Sequence, residues 1–311
     1  MPSSIATQDR EGPDPAELAA RFGLTRTTAR PTLLAYLKQL WARRHFILSY
    51  ASARSTSQYS GSRLGQIWQV ITPLLNAGVY FILFGVLLGT SRGVDNFTAF
   101  LVTGVFVFTF TQRSLNNGAK SISGNLQLVR ALHFPRAVLP LSFVLVEFRQ
   151  LMISMALLFV IIPITGIVPT KNFPDGPGDT VMWSWLLIIP AIALHMLFNL
   201  GLSLLMARVG ALSADVNQLL PFITRIWFYM SGVFYSVDRF GPALGALYPV
   251  LQLNPGAIFL DLYRMVLIES HEPLDLPLGL NIWAVAATWS FILFIGGFLY
   301  FWHKEEAYGR G

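Results

Sequence analysis

Apolar runs almost free of charge recur along the chain at 67–88, 97–112, 137–168, 181–207, 219–237 and 280–302, separated by polar, basic or proline-containing segments. A helix crossing the hydrocarbon needs roughly 20 apolar residues, so this pattern predicts an all-α polytopic membrane protein with six transmembrane helices. Basic residues are divided unevenly between the gaps. Nine Lys and Arg precede the first run, four lie between the second and third, one between the fourth and fifth, and two follow the last. The alternate gaps hold only Arg92, Lys171, Arg239 and Arg264. The positive-inside rule then places both termini of this multi-pass protein in the cytoplasm.

Residues 1–31 are polar, rich in Pro and Thr, and lack the apolar core of a signal peptide. They read as a disordered cytoplasmic tail. Residues 32–66 read as an interfacial amphipathic helix and membrane entrance, 67–303 as the transmembrane domain, and 304–311 as a short cytoplasmic tail. Within 32–52, Leu33, Leu37, Leu40, Trp41 and Leu48 fall near one helical face, with Lys38, Arg43 and His45 off it. Such a face enters the acyl boundary while its cations stay at phosphate level; a soluble helix packed on a partner is the other reading. Gly65 suits the turn from the surface into the first span, Trp68 the interfacial belt, and Pro73 removes one helical hydrogen bond.

The cytoplasmic gap before the third run carries four basic residues and no acid. Over 120–133, Ile122, Leu126, Val129 and His133 recur at helical spacing, and Phe134-Pro135 stops the helix. This short helix either rests on lipid or is gripped by a cytosolic partner; periodicity does not choose between them.

Three charges lie inside the runs. Glu147 and Arg149 in the third are two residues apart and so point to different faces. A charge at the bilayer centre costs about 2.5–3.5 kcal/mol, so each is expected to meet a polar group on a neighbouring helix or to serve the transport route. In the fifth run, Pro221, Arg225, Tyr229, Gly232 and Ser236 form one helical stripe with Phe228 and Tyr235 beside it. A weaker stripe, Asn76, Tyr80 and Phe84, follows the first run. Both suit a translocation path, and plain aromatic packing is the alternative. After the fifth run, Asn254-Pro255 opens a short helix carrying Asp261 and Arg264, expected as a re-entrant or surface cap over 238–279.

Composition narrows the chemistry. Hydrophobic residues make up 54% and charged residues 12%, with a mean hydropathy of +0.55. The pI near 9.7 reflects membrane-flanking cations, and no basic cluster coincides with a nucleic-acid reader motif. The chain has no cysteine, so thiolate chemistry and Cys-based metal sites are excluded. Gly118-Ala119-Lys120-Ser121 lacks the glycine spacing of a phosphate-binding loop. No paired carboxylates, zinc motif or nucleophile elbow is present, and the dispersed histidines, His195 included, read as packing. Neither a catalytic residue nor a metal or cofactor site is expected in this chain. Read from residues alone, a permease for a polymer, a permease for a small lipid or drug, and a polytopic glycosyltransferase remain open.

Several segments together resemble one family. They are Leu64-Gly65-x-x-Trp68-x-x-x-x-Pro73; Asn125 with Leu132-His133-Phe134-Pro135-Arg136-x-x-Leu139-Pro140; Asp215 with Ser231-Gly232-Val233-Phe234-Tyr235; and Leu253-Asn254-Pro255 with Tyr263-Arg264. The chain resembles the ABC-2 type permeases that export lipid-linked polysaccharides, the Wzm and teichoic-acid type. Within them it is most similar to the actinobacterial, mycobacterial type that exports the lipid-linked galactan of cell-wall arabinogalactan. Two positions depart from that pattern: Ser213-Ala214-Asp215 keeps only the acid of an Arg-Asp pair, and Ser231-Gly232 stands where Ser-Pro is usual. The resemblance implies a homodimer with two cytosolic P-loop ATPase subunits, which bind the ATP and Mg. It makes Asn125, Leu126, Val129, Arg130, Leu132, His133, Phe134 and Pro135 the coupling element. It also makes spans one and five the channel wall, and the helix opened by Asn254 and Pro255 an external cap.

Overall fold

The computed structural model describes residues 22, 32–88, 94–132, 134–168, 176, 178–241 and 245–305. The expected tail over 1–31 lies outside the described residues except for Phe22, as do His133 and most of the C-terminal tail. Among the described residues every regular element is helical. The six apolar runs become α3 (Trp68–Tyr80, prolonged by a π-helical stretch Phe81–Leu87), α4 (Phe97–Ser123), α6 (Val138–Gly166), α7 (Ile188–Leu212), α8 (Ala214–Met230) and α11 (Ile282–His303). Four helical segments, Gly65–Leu87, Val138–Gly166, Trp183–Leu212 and Ile282–His303, are long and apolar enough to cross a membrane by length and composition.

The second and fifth runs differ for physical reasons. α4 is the central helix, packed against α6 and α7 and buried from Phe97 to Ile122 along most of its length. A helix wrapped by protein can carry polar side chains that a lipid-facing one cannot, and α4 holds Thr103, Thr111, Ser114, Asn116 and Asn117. α8 is shorter than the run that predicted it, 17 residues against 219–237. At the other extreme α3 is the least buried span, and its apolar side chains Leu75, Val79, Ile82 and Val86 are exposed.

Close helix approach depends on small residues. Where α7 crosses α11, a Cβ added at Gly201 would collide with the Leu293 carbonyl, and one at Gly297 with the Gly201 carbonyl. His195 is fully buried, 2.7 Å from Thr111 and stacked on Phe259, in keeping with a packing role.

At one end of the bundle the expected interfacial helix is two helices, α1 (Leu33–Ala42) and α2 (Arg44–Ser57), broken at Arg43 with φ −90 and ψ 8. Tyr36, Ile47 and Ala51 face the protein, whereas Leu37, Trp41 and Leu48 of the expected apolar face are exposed. Gly65 takes φ +52, the left-handed turn that admits the chain into the first span.

Candidate functional site

The cytoplasmic helix expected over 120–133 is shorter than its periodicity suggested. Lys120 and Ile122 complete α4, Gly124-Asn125 turns the chain, and only α5 (Leu126–Ala131) is a separate helix. The reason is local: Asn125 donates from its side chain to the Ser121 carbonyl (2.8 Å) and accepts from the Tyr50 hydroxyl (3.1 Å). Both bonds favour a turn over continued helix. Val129 is buried, while Leu126, Arg130 and Leu132 point outward. Phe134 packs on Phe46 with centroids 5.8 Å apart, and Pro135 is buried beside it.

Glu147 is buried and accepts from Asn117 (2.8 Å), with Arg113 at 3.9 Å. Both partners are on α4, and Arg225 is exposed on α8. Arg149 is half-buried and has no ion-pair partner among the described residues. Asn76, Arg113, Glu147 and Gln150 line a cavity of about 20 Å³, room for a single water.

The stripe expected along the fifth run does not continue as a helix. α8 ends at Met230, and Gly232 at φ +70 reverses the chain. A side chain there would be strained and would press on Val237 Cγ2 at 2.9 Å. Gly232, Tyr235 and Ser236 therefore leave the stripe of Arg225 and Tyr229, and Phe228 turns inward. What replaces the stripe is an aromatic cluster joining α3 and its π-helical extension to α8 and the turn after it. Phe234 is its hub, with ring centroids 4.0 Å from Phe84, 5.1 Å from Tyr80, 5.2 Å from Phe228 and 5.7 Å from Tyr229. Tyr235 donates to the Tyr229 carbonyl (3.0 Å). Asn76, Arg225 and Tyr229 stay exposed at its rim, with Tyr80 and Phe84 half-buried.

The reversal is held by the segment expected as an external cap. That helix, α10 (Pro255–Leu267), follows the short α9 (Tyr248–Gln252) and does not lie on the surface, one of the two forms expected: almost every residue of it is buried, packed on α4, α7 and α11. Asn254 accepts from Gly256 N–H (3.0 Å) and Trp227 Nε1 (2.7 Å), and donates to Ser231 Oγ (3.2 Å). Arg264, 3% exposed, donates to the carbonyls of Phe100 (3.2 Å), Gly232 (3.0 Å) and Val233 (3.0 Å). Its guanidinium lies 3.3 Å over the Phe100 ring. Asp261 does not pair with Arg264; it accepts from Leu274 N–H (2.8 Å) and meets His271 at 2.6 Å. Two segments that carried the resemblance, Ser231–Tyr235 and Asn254–Arg264, are thus hydrogen-bonded to each other.

Beyond Phe100, Ser236 opens onto a cavity of about 480 Å³ lined with Asp95, Asp238, Tyr248, Glu272 and Asp275. Burial, together with its bond to Asp238 (2.6 Å), pushes the Tyr248 hydroxyl up to about 12. Burial and the neighbouring Asp179 and Glu272 raise Asp95. No group of His, Asp and Glu among the described residues could hold a metal ion.

Two residues of the site were missed by periodicity. Phe234 was legible only as part of a motif, because the turn that aims it inward lies beyond the helix. Arg113 stands where the apolar run ends, so its pairing with a carboxylate on another span left no local signal.

A family model described as ABC-2 type transporter matches residues 48–268. Over 274 residues the chain is 24% identical to the O-antigen export system permease protein RfbA of Myxococcus xanthus, an alignment covering 88% of this chain and 98% of that protein. Two O-antigen export system permease proteins RfbA of Klebsiella pneumoniae are 28% and 26% identical over 182 residues, 58% of this chain and 65% of theirs. With well over half its length matched and its motifs joined in one helical bundle, the chain belongs to the ABC-2 type transporter family.

Proposed function

We propose that this chain is the permease of an ATP-driven exporter of a lipid-linked polysaccharide. It works as a homodimer with two cytosolic P-loop ATPase subunits, which bind ATP and Mg, in a bacterial plasma membrane with both termini cytoplasmic. The observation that carries the reading is the aromatic, uncharged rim of Tyr80, Phe84 and Tyr229, whose partly open rings are braced from behind by the buried Phe228 and Phe234. Aromatic faces offer flat apolar area to the C–H faces of sugar rings. The name borne by one relative, an O-antigen export permease aligned along 88% of this chain, supports a polysaccharide cargo. Galactan is the substrate we assign, on overall sequence similarity. Asn125, Leu126, Val129, Arg130, Leu132, His133, Phe134 and Pro135 are the contact with the ATPase. Asn76, Arg225 and Tyr229 border the path, while Asn254, Pro255, Asp261 and Arg264 hold its far end. The exposed Trp41 and Leu48 lie on membrane lipid.

The test is reconstitution of the permease with its ATPase in vesicles containing lipid-linked galactan. ATP hydrolysis is expected to rise with that glycolipid and to vanish when the ATPase is omitted. Stimulation by a small lipid or drug, with none by the glycolipid, overturns the substrate class.

A further inference from the structure

Outside the segment matched by the family model, at both ends of the chain, two side chains meet. Glu305 follows the last span and is 7% exposed. Its carboxylate accepts from the Tyr36 hydroxyl (2.9 Å) and from the Arg136 backbone N–H (2.8 Å), and the Arg136 guanidinium donates to its carbonyl. Tyr36 is itself 1% exposed and accepts from Ala137 N–H (3.2 Å). The Arg136 and Ala137 amides are the first donors at the start of α6, which no helical carbonyl can serve. Three remote pieces therefore converge: α1, the Phe134-Pro135-Arg136 segment after α5, and the end of α11.

A carboxylate is costly to bury, and it is retained where its partners give it a full set of donors. Here the donors are supplied by the segment that leads from α5 into the third span. We infer that Glu305 is a positioning residue for coupling: with Tyr36 it clamps that segment to α1 and α11, so that movement imposed on α5 reaches three helices at once. The same end is also joined by the Tyr50–Asn125 bond, the Phe46–Phe134 contact and an apolar cluster of Tyr36, Val129, Leu139 and Phe301, none of which holds the Arg136 and Ala137 amides. Without the clamp, α5 moves against two helices that no longer follow. The inference rests on the exporter reading above and adds to it a residue that reading does not use.

Glu305→Gln keeps the shape but replaces one acceptor oxygen with a donor, leaving Tyr36 or the Arg136 amide without its bond. Tyr36→Phe removes the hydroxyl and keeps the ring. In the complete complex with its ATPase, both variants are expected to assemble at normal level and hydrolyse ATP at the normal rate. Export per ATP is expected to fall roughly tenfold, the fold-change matching one hydrogen bond to a charged group. The double variant should be no worse than either alone. Because the chain has no cysteine, an Arg136→Cys, Glu305→Cys variant can be bridged with a short dithiol-reactive linker, which ties the segment to the end of α11 and should restore export per ATP. Unchanged export per ATP in both single variants overturns the inference, as does a loss explained wholly by lower protein level without rescue by the bridge. A wild-type complex that neither hydrolyses ATP nor exports glycolipid refutes the exporter reading instead.

Discussion

A guanidinium that is almost fully buried must find acceptors or cost several kcal/mol, and Arg264 finds three backbone carbonyls. Those of Gly232 and Val233 belong to the reversal after α8, where no helix supplies donors. Arg264→Met fills similar volume but leaves these carbonyls without partners, at about 1–3 kcal/mol each. We expect a loss of about 2–4 kcal/mol, read as a lower unfolding temperature in detergent; an unchanged temperature would mean the reversal stands without it. Gly104→Ala tests the same contact from α4, since its Cβ would lie 2.6 Å from Arg264 Nη2. The sequence placed Arg264 with Asp261 on a helix expected as a re-entrant or surface cap, but could not name its acceptors. Its acceptors lie 31, 32 and 164 residues away, and periodicity carries no information at that range. Glu147 is the parallel case: a polar partner on a neighbouring helix was expected, and Asn117 is one.

Helices with uninterrupted apolar runs were legible, and their ends were not. The run at 219–237 stays apolar past Met230, and only the left-handed Gly232, read as one member of a stripe, marks the stop. Ile122, Leu126 and Val129 keep a helical period across Gly124-Asn125, yet only Ile122 and Val129 are buried and Leu126 is exposed, because the turn separates them into two helices. The consequence for α5 is a helix of 6 residues, too short to stand alone and dependent on what holds its ends. Its outward residues Leu126 and Arg130 are the ones a partner can grip, so Leu126→Asp with Arg130→Glu should uncouple ATP hydrolysis from export while protein level stays normal. Normal export by that variant would make α5 a mere surface turn. Between spans, Gly201→Leu should separate α7 from α11 because backbone, not a mobile side chain, occupies the space. Overpacking there costs about 1–3 kcal/mol or more, and a fall in the yield of folded protein checks it.

For the molecule as a whole, the burial pattern divides the surface into functional territories. α3 and α8 expose long apolar faces, Leu75 to Val86 on one and Leu219 to Met230 on the other, yet meet each other through the Phe234 cluster. In the proposed homodimer, exposure in a single copy has three sources: lipid, the second copy, or the path. Arg225 decides between them. It lies near the middle of α8, and a lipid-facing arginine at such depth costs at least about 2.5–3.5 kcal/mol, while Glu147 is already engaged by Asn117 and Arg113. We propose that it faces the hydrated path rather than the second copy. Since the chain carries no cysteine, single cysteines at Asn76, Arg225 and Tyr229 can be tested one at a time with a charged, membrane-impermeant thiol reagent in the assembled complex. We expect rapid labelling at all three and protection by lipid-linked glycan. Cysteines at Phe228 and Phe234, buried in the cluster, should remain unlabelled. Arg225→Gln should lower export with protein level unchanged. Slow labelling at Arg225 and Tyr229, equal to that of a lipid-facing control at Ile82, would place the α8 face in lipid or against the second copy and move the path elsewhere.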